Sequence, residues 1–194
     1  MKRLVFQVKV NGLKNAFKEM IYRDRKIIVI EKEIAYEENV YRDDDTDFII
    51  IDQFNYGEMK RKFNLGNMEY FVGKNARCMV AVKYGMCAGY QWWTQDNGFR
   101  DLRKLRLNLK GNEAYLFDLF VFPEHRGGNV PKSLAVETFN HLCSCGVNKF
   151  YGFYFSDNLR ALWWHRAFLK AKEINKIKMQ RFLFLEIVDG RLFV

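Results

Sequence analysis

The sequence predicts a mixed α/β (α+β) fold: a single domain with a mixed central sheet flanked by helices. Three observations predict it. Strand-like apolar runs stand both before and after two helical patterns. The middle of the chain reads strand, loop, helix, strand, helix. Hydrophobic residues fill 49% of the 194 positions and aromatics 16%, enough to furnish one packed core.

The elements follow in order. Leu13, Ala16, Phe17, Met20 and Ile21 fall at i, i+3, i+4, i+7 and i+8, one face of a helix. Residues 26–34 (KIIVIEKEI) are β-branched and predict a strand. A second apolar run follows in DDDTDFIIIDQF, and residues 56–63 predict a short helix. Residues 78–93 hold two strand-like runs about Tyr84-Gly85, a hairpin signal. Residues 114–122 (AYLFDLFVF) predict a long apolar strand that Pro123 ends. Residues 131–146 have Pro at the start and Gly just past the end of a helix, with Leu134, Ala135, Thr138, Phe139 and Leu142 on one face. Residues 149–155 predict another strand, and Asp157 or Asn158 caps a helix running to about Lys172. The tail predicts two strands about Asp189-Gly190.

Charge narrows the partners. Thirty-two Lys and Arg against 23 Asp and Glu leave a net +9, and the pI is near 9.4. Residues 1–26 hold eight basic residues against Glu19 and Asp24, and residues 100–110 hold five against Asp101. Opposing them is the acidic cluster Asp43, Asp44, Asp45 and Asp47. Such clusters are either a solvated surface or the footprint of an anionic partner. Charge and the apolar face of 13–21 set a basic amphipathic segment, 1–25, apart from the remaining domain, 26–194. The segment either packs on the domain or a second subunit, as in a homodimer, or docks on an anionic membrane surface. The basic residues are not interleaved with aromatics in any recognised module, so no nucleic acid is expected.

No apolar run reaches the roughly 18–20 residues of a membrane span. The start, MKRLVFQVKV, lacks a signal peptide's unbroken apolar stretch. Cys78, Cys87, Cys143 and Cys145 are then expected to be reduced thiols in a cytoplasmic protein. Cys143-Ser-Cys145 has no second ligand pair at zinc spacing, so no metal is expected and these helix-end thiols are read as core. His141, on the same helix, carries no signal. The pairs Trp92-Trp93 and Trp163-Trp164 are read as core, or else their outward members line a ligand cleft.

The stretch Leu119 to Leu134, LFVFPEHRGGNVPKSL, carries the most chemistry. A buried strand runs into a basic, glycine-bearing loop that opens a helix. The amides of such a loop and first helical turn have no intrahelical partner, and the helix dipole favours an anion there. The spacing fits neither a phosphate-binding Walker loop nor a dinucleotide fingerprint.

This stretch resembles the acyl-CoA-binding motif of the GNAT superfamily of N-acetyltransferases, V-x-P-E-x-R-G-x-G-I-G-x-x-L. Val121, Pro123, Glu124, Arg126, Gly127, Val130 and Leu134 match without gaps. Asn158 to His165 (NLRALWWH) resembles the family's second signature, Asn-x-x-Ala-x-x-x-Tyr. Asn129 and Pro131 stand where the motif has glycines, and proline brings no N–H.

The resemblance implies an acetyl-CoA-dependent N-acetyltransferase of GNAT-like fold, acting on a primary amine of a small molecule such as an amino sugar. It implies that Leu119 and Val121 pair with the pantetheine arm, with the Val121 N–H as oxyanion donor. Arg126, Gly127, Gly128, Asn129 and Val130 would hold the pyrophosphate, and Asn158 would join the cofactor site. The family's tyrosine acid falls at His165, which is then an acid, a base or a packing residue. Asp118 is either a base for the incoming ammonium or a paired carboxylate ordering its strand. His125 adds to the phosphate field. The competing readings are a non-catalytic CoA-binding protein of the same fold and a basic nucleic-acid-binding module.

Overall fold

The computed structural model describes residues 22–42, 44–63, 68–182 and 185–193. The helix expected over 13–21 lies outside the described residues, as does most of segment 1–25. In chain order the elements are β1 (Tyr22–Glu33), β2 (Thr46–Ile51), α1 (Tyr56–Phe63), α2 (Glu69–Val72), β3 (Arg77–Lys83), β4 (Met86–Thr94), α3 (Arg100–Leu105), β5 (Glu113–Val121), α4 (Val130–Ser144), β6 (Lys149–Phe155), α5 (Leu159–Trp163), β7 (Lys172–Phe182), β8 (Leu185–Val188) and β9 (Arg191–Phe193). They form two compact units, Glu31–Gly152 and Met1–Ile30 with Phe153–Val194. The strands make a mixed sheet. In the first unit they hydrogen bond in the order β2-β3-β4-β5-β6, then the end of β1. In the second the order is the end of β6, then β1-β7-β8-β9.

In the Glu31–Gly152 unit, β2 to β5 pair antiparallel and β5 pairs parallel with β6. The alternation of Trp92 and Trp93 shows how the sheet is covered on both faces. Trp92 joins Ile51, Tyr56, Phe63, Val72 and Cys78 in the core beneath α1 and α2. Trp93 points the other way, its ring 5.5 Å from that of His141 on α4. Both indoles are almost fully buried. The α4 face predicted from spacing is buried as expected, at Leu134, Ala135, Thr138, Phe139 and Leu142. Gly146 then stops the helix at φ +80°, and the Val147 N–H donates back to the Leu142 carbonyl at 3.0 Å. Pro131 is the second helical residue, after Val130.

The Tyr84-Gly85 hairpin forms as read, with φ of 52° and 75°. A two-residue turn with both angles positive matches the twist of the strands it joins. Asp189-Gly190 does the same between β8 and β9, at 50° and 78°. The tail holds three strands rather than two, because β7 begins at Lys172. The helix after Asn158 is correspondingly shorter than expected. It gives way at Trp164–Phe168 to one π turn. The sequence reading also missed α2 and α3. In α3 the basic stretch is anchored by Leu102 and Leu105, both buried. Strand β1 starts at Tyr22, four residues before the predicted strand, and Ile27 to Ile30 are buried on both faces.

Candidate functional site

The chemistry-bearing stretch is built on β5. This strand pairs with β4 through a bulge. Tyr90 faces Phe120 and Trp92 faces Phe117, so three steps on β5 oppose two on β4. The extra residue falls at Asp118-Leu119, and Asp118 takes φ 51°, a left-handed conformation uncommon outside glycine. The buried Gln91 braces the bulge from β4. Its side-chain amide donates to the Phe117 carbonyl at 2.7 Å and to the Trp92 carbonyl at 3.1 Å. Asp118 is exposed at this point. Burial, with the Asp118 charge second, drives the Tyr90 phenol well above its ordinary value.

Two consequences follow from the bulge. Beyond it, Tyr90 and Phe120 stack with centroids 5.4 Å apart, a ring wall two residues from Asp118. Phe117 stacks on Tyr115 at 5.5 Å and meets Phe71 edge-on at 5.1 Å, which carries the ring stack into the core. Secondly, the parallel pairing of β5 with β6 covers only Glu113–Tyr115 against Lys149–Tyr151. Residues 116–121, which include Leu119 and Val121, have no β6 partner among the described pairings. Strand β4 stays close on the other side because residue 89 is glycine. A Cβ there would stand 2.8 Å from the Phe120 carbonyl oxygen.

The loop after β5 turns through a short 3-10 segment, Pro123–His125, and His125 is partly buried there. Arg126 folds back, its Nε donating to the Val121 carbonyl at 2.8 Å and its guanidinium carbon lying 5.7 Å from the Phe120 centroid. Gly127 then takes φ +82°, and α4 starts after Asn129, whose carbonyl accepts from the Ser133 N–H at 2.8 Å. Residues 126–129 are exposed. The amides of Gly127, Gly128 and Asn129 have no hydrogen-bond partner among the described residues. These donors, with the α4 N-terminus, fit a diphosphate group. Pro131 offers none.

The other named residues lie on the second unit. Asn158 caps α5: its Oδ1 accepts from the Ala161 N–H at 3.2 Å. His165 sits in the π turn, its ring stacked on Tyr154 with centroids 5.1 Å apart and planes 17° apart. Its Nδ1 is buried with no partner among the described residues. Burial lowers its pKa to about 4 from an ordinary 6.5, so the ring is neutral near pH 7. Beside it, Glu173 accepts from the Tyr154 hydroxyl at 2.5 Å and from Arg166 Nε at 2.6 Å. The Arg166 hydrogen bond, then that of Tyr154, holds the Glu173 carboxyl below its usual range.

The sequence reading therefore named the loop residues, which are contiguous in the chain. It missed Gln91, Tyr90 and Phe120, whose roles depend on cross-strand register. Two core assignments need correction. Trp163 is 57% exposed, since α5 is too short to bury it. Cys145 is exposed and Cys143 only partly buried, because the end of α4 faces solvent. Cys145 Sγ lies 3.7 Å from His141 Nε2. Among the described residues no His, Cys, Asp or Glu cluster is suited to a metal. None of their helices is long and apolar enough to cross a membrane.

No protein-family model and no curated protein sequence matches the chain. Solved structures do. A tandem GNAT protein from the clavulanic acid biosynthesis pathway superposes with a TM-score of 0.58 at 13% identity, over 89% of this chain and 58% of that one. A GNAT-family acetyltransferase of Novosphingobium aromaticivorans gives 0.54 at 12% identity, over 80% and 63%. A glucosamine N-acetyltransferase region of a fungal multi-domain β-N-acetylglucosaminidase gives 0.55 at 12% identity, over 87% and 22%. The chain thus spans about three fifths of the length of the first two. With these superpositions on the strand–loop–helix built above, the chain has the fold of the GNAT superfamily of N-acetyltransferases.

Proposed function

We propose that the chain is an acetyl-CoA-dependent N-acetyltransferase whose acceptor is a primary amine on a small ring-bearing molecule, an amino sugar being the preferred class. The observation that carries the reading is the bulge at Asp118. It sets one exposed carboxylate beside the stacked rings of Tyr90 and Phe120, on the strand that leads into the loop of unpartnered amides. A sugar's apolar ring face packs on aromatic side chains, while an ammonium seeks a carboxylate. The fold neighbour described as a glucosamine N-acetyltransferase region supports that preference.

The residues divide the work as follows. The amides of Gly127, Gly128, Asn129 and Val130 hold the pyrophosphate. Arg126 adds positive charge while tying the loop to Val121. Leu119 and Val121 lie on the part of β5 that has no β6 partner, which suits pairing with an extended pantetheine arm. Acetyl-CoA supplies the thioester that makes acyl transfer favourable. Asp118 receives the acceptor's ammonium, orients it, and accepts the proton that must leave before the nitrogen attacks. The Val121 N–H steadies charge developing on the acyl oxygen as the amine attacks; the C–S bond then breaks and CoA leaves as a thiolate that takes its proton from solvent. His165 is neutral near pH 7, which argues against a role as an imidazolium acid.

A second reading, CoA binding without turnover, draws on Pro131, which removes one amide from the first turn of α4. One experiment separates the two. The full chain is titrated with acetyl-CoA in a calorimeter, then assayed for free thiol with glucosamine and other amines. Binding with amine-dependent thiol release supports transfer. Binding alone supports the second reading, and no binding refutes both.

A further inference from the structure

Charge is divided unevenly between the two units. Residues 1–30 and 153–194 hold sixteen Lys and Arg against six Asp and Glu, a net +10. Residues 31–152 hold sixteen against seventeen, a net −1. The chain's whole basic excess therefore belongs to one unit.

Within that unit, β7 has two unlike faces. Ile177 and Met179 are buried on one, the latter directly opposite the buried Val188 of β8. Glu173 shares their parity and bonds Tyr154 and Arg166. On the other face, Lys172, Ile174, Lys176 and Lys178 are all exposed. The face continues across the meander, because Gln180 pairs with Ile187 and Ile187 with Leu192. Directly paired residues share a side of the sheet. Ile187 is 39% exposed and Leu192 61%. The result is an open sheet face with aliphatic side chains towards both ends and lysines between them. At its β1 side lies a surface depression of about 610 Å³ lined by Asp24, Arg25, Lys26, Ser156, Asp157 and Lys178. Asp24 pairs with Lys178 at 3.4 Å and Asp157 with Arg25 at 2.7 Å, which leaves the depression one cation in excess.

We propose that this β7–β9 face docks the protein on an anionic lipid surface. Charge complementarity selects an anionic partner. The side chains then select lipid over nucleic acid. Ile174, Ile187 and Leu192 can enter the headgroup–acyl boundary, where an aliphatic side chain is buried among acyl chains, whereas a nucleic-acid backbone offers them no apolar partner. Lysine suits such a boundary because its apolar stem can lie in it while the ammonium stays among the headgroups.

The test is co-sedimentation of the full chain with vesicles of phosphatidylcholine alone or with a third phosphatidylglycerol. Binding is expected only to the anionic vesicles, and it weakens as salt rises. Lys172→Glu with Lys176→Glu should lower that partition at least about 20-fold, since each lysine near the surface is worth roughly fivefold. Ile187→Asp with Leu192→Asp should lower it through the apolar part. Circular dichroism and acetyl-CoA titration confirm that each variant is folded. Equal binding to neutral vesicles, no binding to either, or unchanged partition in both folded variants overturns the proposal. So does tighter binding to a DNA duplex than to the anionic vesicles.

Discussion

Replacing His165 with phenylalanine isolates one buried titration. The His165 ring has its pKa lowered from 6.5 to about 4 by burial, and its Nδ1 has no partner among the described residues. Between these values the unfolded chain binds the proton and the folded chain does not. Stability must therefore fall as pH falls through that window, by about 1.4 kcal/mol per unit. Across the window the loss is about 3 kcal/mol, and it is complete below the folded value. Phenylalanine keeps a ring against Tyr154 and removes the titration. At neutral pH the variant should be as stable as the parent or more so, because a buried polar atom without a partner is costly. Urea unfolding from pH 7 to pH 4.5 reads the effect. With a slope of about 2 kcal/mol per molar, the parent's midpoint should drop by about 1 M more than the variant's. His141, also lowered by burial, titrates in both proteins and cancels in the difference. Parallel midpoints for the two proteins would refute the assignment of a neutral His165 with its Nδ1 buried.

Other substitutions test the site and the core. Arg126→Glu with Gly128→Asp sets two carboxylates where phosphate is expected, so calorimetry should show acetyl-CoA binding at least about tenfold weaker. Gln91→Leu deletes both hydrogen bonds that brace the Asp118 bulge. It should cost about 1–3 kcal/mol by chemical denaturation and raise KM for the amine more than KM for acetyl-CoA. Asp118→Asn keeps the size of the side chain and removes the base; kcat should fall about 100-fold with acetyl-CoA affinity unchanged. Trp93→Ala empties a nearly fully buried site between the sheet and α4, at a cost of about 3–5 kcal/mol in unfolding.

What could be read in advance was what the chain writes locally. The loop from Pro123 to Pro131 is contiguous, its helix begins and ends on proline and glycine, and both two-residue hairpin turns carry glycine. Strand β6 and helix α1 also fall on their expected residues, since period-2 and period-3.6 patterns are complete within each. The bulge at Asp118 was not legible. It depends on Gln91, 27 positions away, and a lone glutamine in an apolar strand gives no sign that it will cap two carbonyls. The stack of Tyr90 on Phe120 is a matter of register for the same reason. Helix α3 hid in its charge, because only Leu102 and Leu105 are buried. The short α5 was overread because a helical pattern runs on through Trp164–Phe168, where the backbone instead takes one π turn before β7.

Thiol release from acetyl-CoA, measured with and without glucosamine on the full chain, tests the account most directly. Release that requires the amine, yields the N-acetylated product by mass spectrometry, and falls about 100-fold in Asp118→Asn is the predicted result. A folded protein that binds acetyl-CoA yet transfers to no amine offered, or an Asp118→Asn variant with full turnover, would contradict it.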